Sequence, residues 1–263
     1  MVNESRNPTV GTLLREWIDC PSISEDEVRS LAILKSGKIT RHIDIKYLDA
    51  AKRGYFRFGT LIGYRPKDEM LIGRFSDVQE ASQLNYYRSR TGVYNYYGAS
   101  SSYIDCVFSG YDYGMAIEFF CNDYCSCSSR SDFNMQRALT LRSKGNPDIG
   151  AYIVYDVKKL IDALNEILNE EHPHLSLIHM PVTYGQKDRA WDIEGYHKDI
   201  VDKDKIAIWL GTAFVKSIDY RHEEEVRILV INKKSPGSLS VKNEYLAFED
   251  KRIADSVIRY GLF

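Results

Sequence analysis

The stretch VRILVI, residues 226 to 231, constrains the fold more than any other part of the chain. Side chains alternate sides along a strand, so Val226, Ile228 and Val230 point one way and Leu229 and Ile231 the other. Apolar side chains on both faces need cover on both faces, which makes this a central strand. Directly before it stand Glu223, Glu224 and Glu225. Strand periodicity puts Glu223 and Glu225 on one side and Glu224 on the other. Two readings are open. One is a solvated strand end paired with Arg221 or Arg227; the other is a carboxylate pair at the mouth of a cleft. Like charges about 7 Å apart on one strand face raise each other's pKa, which suits acid–base chemistry.

A chain of 263 residues, 44% of them hydrophobic, has enough apolar side chains to bury a substantial core. Its net charge of −2 provides no global field for nucleic acid, so such binding must rest on a local patch. It has no apolar run of about 18 residues. The N-terminus lacks a basic-then-apolar signal. The expectation is a cytoplasmic protein with no membrane partner. Five cysteines, an odd number, argue against a disulfide framework. Cys106, Cys121, Cys125 and Cys127 lack the paired knuckles of structural zinc sites, so they read as small apolar side chains and no metal is expected.

Along the chain, Ser24 can cap a helix bearing Val28, Leu31 and Leu34, and IDIKYLDAAKRG reads as a second helix stopped by Gly54. Residues 1–54 are thus expected to form a helical lead. Strands are expected at YFRFGTLIGYR, YIDCVFSG, GMAIEFFC, DYCSCSS, GAYIVYDV and HLSLIHMPVTYG, and a tyrosine-rich loop or hairpin over NYYRSRTGVYNYYGASSSY. A helix can open at Ser131 or Asp132. The clearest helix starts at Asp156, with Val157, Leu160, Ile161, Leu164, Ile167 and Leu168 on one face. Strands outnumber helices without alternating with them, so the fold class is α+β, in a single domain over 1–263.

Two further segments carry candidate chemistry. Arg57 interrupts an aromatic strand, where its guanidinium must meet a carboxylate, a phosphate or solvent. Gly59 after it permits close approach of a ligand, and Thr60 offers a hydroxyl. Ser126 and Ser128 share a strand face and can hold a ribose or a carboxylate. The plainer readings are an edge-strand arginine at the surface and a polar strand end. In NYYRSR, Tyr87, Arg88 and Arg90 combine rings for base stacking with charges for phosphates; the plainer reading is a hairpin packed on its own sheet.

An early arginine strand, a central Ser-x-Ser strand and a late Glu-x-Glu strand, in that order, resemble the ADP-ribosyltransferase superfamily, and within it the arginine–serine–glutamate branch. RFGT is similar to the first NAD-contacting strand, SCS to the Ser-Thr-Ser element, and EEEVRI to the Glu-x-Glu strand. The resemblance rests on these short segments. Ser128 and Glu223 are 95 positions apart, longer than in compact members, so the helix over 156–172 would be an insertion. The resemblance implies split antiparallel sheets around a cleft with flanking helices, and NAD as co-substrate. Arg57 would contact the NAD phosphates, with Gly59, Thr60, Tyr64 and Tyr124 close by. Ser126 and Ser128 would hold the nicotinamide ribose and orient Glu225. Glu225 would stabilise the charge on the ribose as nicotinamide leaves, and Glu223 would bind or deprotonate the acceptor. The acceptor would be a nucleic acid, favoured over protein, meeting Tyr87, Arg88 and Arg90. The biological setting would be a toxin or antiviral effector, with an antitoxin or inhibitor protein as possible partner. The competing readings are a binding module of this fold without catalysis, and a metal-dependent nuclease using the acidic cluster.

Overall fold

The central position of VRILVI organises the structure. The computed structural model describes residues 37–64, 82–89, 105–111, 114–120, 123–144, 146–185, 189–193, 211–232 and 245–263, with backbone alone for 82–89, 105–111, 114–120 and 189–193. In chain order the elements begin with β1 (Lys38–Asp44), α1 (Leu48–Lys52), β2 (Tyr55–Thr60), β3 (Ser82–Ser89), β4 (Asp105–Tyr111), β5 (Gly114–Phe120) and β6 (Tyr124–Arg130). There follow α2 (Met135–Lys144), β7 (Ile149–Asp156), α3 (Val157–Glu171), β8 (Leu175–Pro181), β9 (Thr183–Tyr184) and β10 (Arg189–Ile193). The last are β11 (Val215–Lys216), a 3-10 turn (Ile218–Glu223), β12 (Glu225–Asn232), β13 (Leu246–Glu249), α4 (Lys251–Ala254) and β14 (Val257–Leu262). The architecture is α+β.

β12 lies between β6 and β8, antiparallel to both, and Glu225 to Ile231 are all buried. The opposite edge of β6 is shared. β1 pairs with its end at Ser129 and Arg130, and β2 with its start at Cys125 and Tyr124. From β1 the sheet continues through β7 to β14, and from β2 to β13. The sheet therefore forks at residues 126–128 of β6, with β1 and β2 as its two prongs. A second sheet runs β10-β3-β5-β4, and β9 and β11 form a short parallel pair.

Register assigns each side chain to a face. Opposed residues share a face, so Val226, Ile228 and Val230 stand with Ser128, Ser126 and Tyr124 and with Leu177 of β8. This face packs against α3, whose Val157, Leu160, Ile161, Leu164, Ile167 and Leu168 are all buried as the sequence spacing requires. Asp156 caps that helix, its carboxylate accepting from Lys159 N at 3.0 Å. Phe56 and Phe58 of β2 and Ile153 and Tyr155 of β7 extend the same core.

Three sequence expectations need correction. The lead is not helical throughout: residues 38–44 are a strand, whose Ile39 enters the core, and the expected second helix is a 3-10 turn (Ile45–Tyr47) running into Leu48–Lys52, which Gly54 ends at φ +96°. The Ser24 helix lies outside the described residues. α2 is capped not by Ser131 or Asp132 but by Asn134, which accepts from Arg137 N at 2.9 Å. The start of the tyrosine-rich stretch is strand β3, paired with β5 and β10.

Candidate functional site

The face of β12 opposite the core carries Glu225 and Arg227, followed by Leu229 and Ile231. Its neighbours across the register are Ser129, Cys127 and Cys125 of β6. Arg227, only 1% exposed, forks onto Glu225, with Nε to Oε1 at 2.7 Å and Nη2 to Oε2 at 3.4 Å, and also donates to Ala213 O. A bidentate guanidinium–carboxylate pair of this kind satisfies both partners away from water. Burial alone would push the Glu225 carboxyl up, but Arg227 and Lys216, with the Cys127 thiol against it, hold it well below the usual carboxylate range.

Glu223 does not lie on the strand. It closes the 3-10 turn, and Glu224 then adopts a left-handed conformation at φ 44° before β12 begins. That conformation disfavours a side chain with a Cβ by about 1–2 kcal/mol. It is held by Arg137, which pairs with the Glu224 carboxylate, and by Arg130 N, which donates to Glu224 O at 2.7 Å. Strand periodicity therefore does not relate Glu223 to Glu225. Lys216 does: its Nζ lies 2.8 Å from Glu223 Oε2 and 3.3 Å from Glu225 Oε2. Burial pushes Glu223 up to about 7, against the pull of Lys216 and with the push of Glu225. Tyr184 adds a further link, its hydroxyl accepting from Glu225 N at 2.6 Å.

Ser126 and Ser128 do not hold Glu225, because period-two alternation sends them to the core face and Glu225 to the other. Their hydroxyls are buried without a hydrogen-bond partner among the described residues. The residues that share a face with Glu225 are Cys127 and Ser129, one position along the strand. Tyr124 is a core residue, opposed to Thr60. The Thr60 hydroxyl is committed to its own turn, accepting from Gly63 N at 3.0 Å. Close approach at Gly59 is made by Tyr64, whose hydroxyl donates to Cys125 O at 3.2 Å and would lie 3.3 Å from a Cβ at position 59. Tyr64 is 37% exposed, but its hydroxyl is tucked against Cys125, and this burial, then the neighbouring cysteines, push the phenol up. The Cys127 thiol is also raised, by its contact with Cys125 and by burial, which disfavours the thiolate a nucleophile needs.

Comparison with family models, curated proteins and solved structures found no match to the chain. The site therefore rests on its own geometry. Arg57 is exposed and stacks on Tyr245 with its guanidinium 4.5 Å from the ring centre. Through the Gly59–Cys125 pairing it belongs to the Glu225 face. Sequence reasoning missed a second arginine. Arg41 of β1 spans the fork, donating to Arg57 O at 3.2 Å and lying 4.4 Å over the Phe56 ring. Neither Arg41 nor Arg57 has an ion pair among the described residues. Burial pushes the Tyr155 phenol up, and the Arg41 guanidinium that it faces opposes this. By register Arg41 shares the core face with the Ser126 and Ser128 hydroxyls, and Arg57 lies on the Glu225 face. The fork thus presents one guanidinium on each side, both without an ion pair among the described residues, a donor set suited to an anionic, polyhydroxylated ligand that passes through it. The signal available in the sequence was Arg41 inside ITRHID, hidden because that segment reads as a helix.

Tyr87 and Arg88 fall on β3, described as backbone only, and Arg90 lies outside the described residues. Cys106 is on β4, and Cys121 is also outside. No grouping of metal-ligating side chains occurs among the described residues. No described helix is long and apolar enough to cross a membrane.

Proposed function

We propose that the protein transfers ADP-ribose from NAD to a macromolecular acceptor. The observation that carries this reading is the position of β6, between the glutamate strand β12 on one edge and both arginine strands, β1 and β2, on the other. The three elements that resemble the arginine–serine–glutamate branch are therefore adjacent in space although far apart in sequence. The forked sheet supports the split-sheet cleft that the resemblance implies.

On this reading Arg41 takes the NAD phosphates, with Arg57 on the opposite side, because it is the guanidinium inside the fork. Ser126 and Ser128 supply hydroxyls to the ligand rather than to Glu225. The bond from the ribose C1′ to nicotinamide breaks, nicotinamide leaves with the electron pair, and the positive charge developing on the ribose is stabilised by the ionised Glu225. The acceptor nucleophile bonds to C1′ and gives its proton to Glu223, whose side chain is less buried and exchanges protons near neutrality. A nucleic acid acceptor, favoured over protein, rests on the alternation of tyrosine and arginine in β3 and the residues after it.

A second reading is a binding module of the same fold without turnover. It is favoured by Glu225 being 5% exposed and doubly ion-paired. Incubation with NAD labelled in the adenosine moiety and in nicotinamide separates the two. Transfer of label with release of nicotinamide, lost by about a hundredfold or more in Glu225→Gln and weakened in NAD affinity by Arg41→Ala, supports the enzyme. Saturable NAD binding that needs Arg41 but releases no nicotinamide supports the module. Absence of NAD binding sinks both.

A further inference from the structure

Lys216 joins the two carboxylates Glu223 and Glu225, and it stands outside the three-element resemblance. Lys216 is 6% exposed, and its ammonium contacts carboxylates from two different elements, Glu223 at the end of the 3-10 turn and Glu225 at the start of β12. The Tyr220 ring lies 4.7 Å from the same ammonium. Its backbone is fixed by β11, which pairs with β9, and by Gly185 N donating to Lys216 O at 3.0 Å. The ammonium is thus presented by an anchored strand rather than by a mobile surface chain.

We propose that Lys216 is a positioning residue that joins Glu223 and Glu225 into one unit and makes Glu223 the member that exchanges a proton with the acceptor. This rests on the transfer reading above. Glu225 has two cations in contact, Arg227 and Lys216, while Glu223 contacts Lys216 alone in hydrogen-bond geometry. Among the described residues, the charged and titratable groups facing Glu223 are Lys216 from β11, Glu225 and Arg227 from β12, and Tyr184 from β9. Among them only Lys216 touches both carboxylates. Removing the ammonium leaves two like charges with one shared counter-charge, so the proton that Glu223 accepts becomes harder to release.

Two measurements test this. Carboxyl carbon NMR titration follows Glu223 and Glu225 in the wild-type protein and in Lys216→Met, with no NAD present. The pH dependence of transfer is measured on the same two proteins and on Lys216→Arg. The expected result is a wild-type Glu223 that titrates near neutrality while Glu225 stays ionised, and a Glu223 titration in Lys216→Met raised by about one pH unit or more. The pH profile of kcat should move in the same direction, with KM for NAD changed by less than about threefold and partial restoration by Lys216→Arg. An unmoved Glu223 titration in folded Lys216→Met overturns the proposal. Should that variant not fold, a wild-type titration in which both carboxyls ionise together below about pH 5 overturns it equally. A protein that shows the NMR behaviour but never consumes NAD removes the transfer reading and retains the linkage.

Discussion

On one face of β12, Val226, Ile228 and Val230 meet Leu177 and the apolar side of α3; on the other, Glu225 and Arg227 meet Lys216, Cys127 and the Ala213 carbonyl. Both faces are buried to the same degree. The first is held by apolar area, which tolerates small shifts and loses roughly the transfer and cavity cost when trimmed. The second is held by charges whose desolvation is repaid only while every partner is present. Burial alone therefore does not predict how a position responds to change. The chemistry of the neighbours decides it.

The largest effect should come from breaking the charged face at its centre. Arg227→Met strands Glu225 in a dry site with Lys216 as its remaining cation, and a loss of about 3–5 kcal/mol in unfolding free energy is expected. The double variant Glu225→Leu with Arg227→Met should recover most of that loss, because it turns the charged face into a copy of the apolar one. Urea unfolding of the two proteins checks this. A double variant no more stable than the single one would mean that the pair fixes the strand's position rather than its free energy.

The two faces were also unequally legible. The apolar face followed directly from periodicity: the run at 226–231 required a central strand and the heptad-like spacing after Asp156 required a buried helix, and both stand where expected. The charged face did not. Glu223 was placed by extending strand alternation one turn too far, past a left-handed Glu224 that nothing in the local composition announces. The resemblance pairs Ser126 and Ser128 with Glu225, but the register between β6 and β12 puts them on opposite faces. One residue of register decides which face a side chain joins, and register is set by long-range pairing. Arg41 was missed for a related reason: tertiary pairing with β6 and β7 overrode a segment that reads as helix. Lys216 reaches its carboxylates from a two-residue strand too short to carry a pattern.

A pH series sharpens the comparison, since the charged face responds and the apolar face does not. Glu223 has its folded pKa raised from 4.5 to about 7. Its contribution to stability is therefore fully present below the unfolded pKa and lost as pH rises through 7. His42, on β1, is lowered from 6.5 to about 4 by burial and by Arg137, so its contribution is present above 6.5 and lost as pH falls through 4. The two slopes oppose each other between about pH 5 and 6.5, so each offsets part of the other. Glu223→Gln should remove one of them. The variant's midpoint temperature should then rise with pH across that window, and the difference from wild type should amount to at most about 3 kcal/mol. Identical curves for the two proteins would mean that Glu223 is ionised throughout and that Lys216 outweighs its burial.

The smallest expected change in stability discriminates most finely between the two faces, because it concerns the polar atoms on the apolar side. Ser126 is fully buried, its hydroxyl has no partner among the described residues, and its neighbours across the register are Ile228 and the Tyr124 side of the core. A buried hydroxyl without a hydrogen bond costs about 1–3 kcal/mol on the scale of protein substitutions. Ser126→Ala should thus leave the free protein as stable as before, or stabilise it by up to about 1 kcal/mol. A ligand that fills the fork and pairs with this hydroxyl reverses the sign: the same substitution should then weaken NAD by about 1 kcal/mol, roughly fivefold in Kd. Calorimetric titration beside thermal unfolding reads both quantities on one sample. A variant less stable than wild type in the absence of any ligand would mean that the hydroxyl is already satisfied in the free protein, and the argument that the fork is built to receive a polyhydroxylated anion would lose its strongest observation.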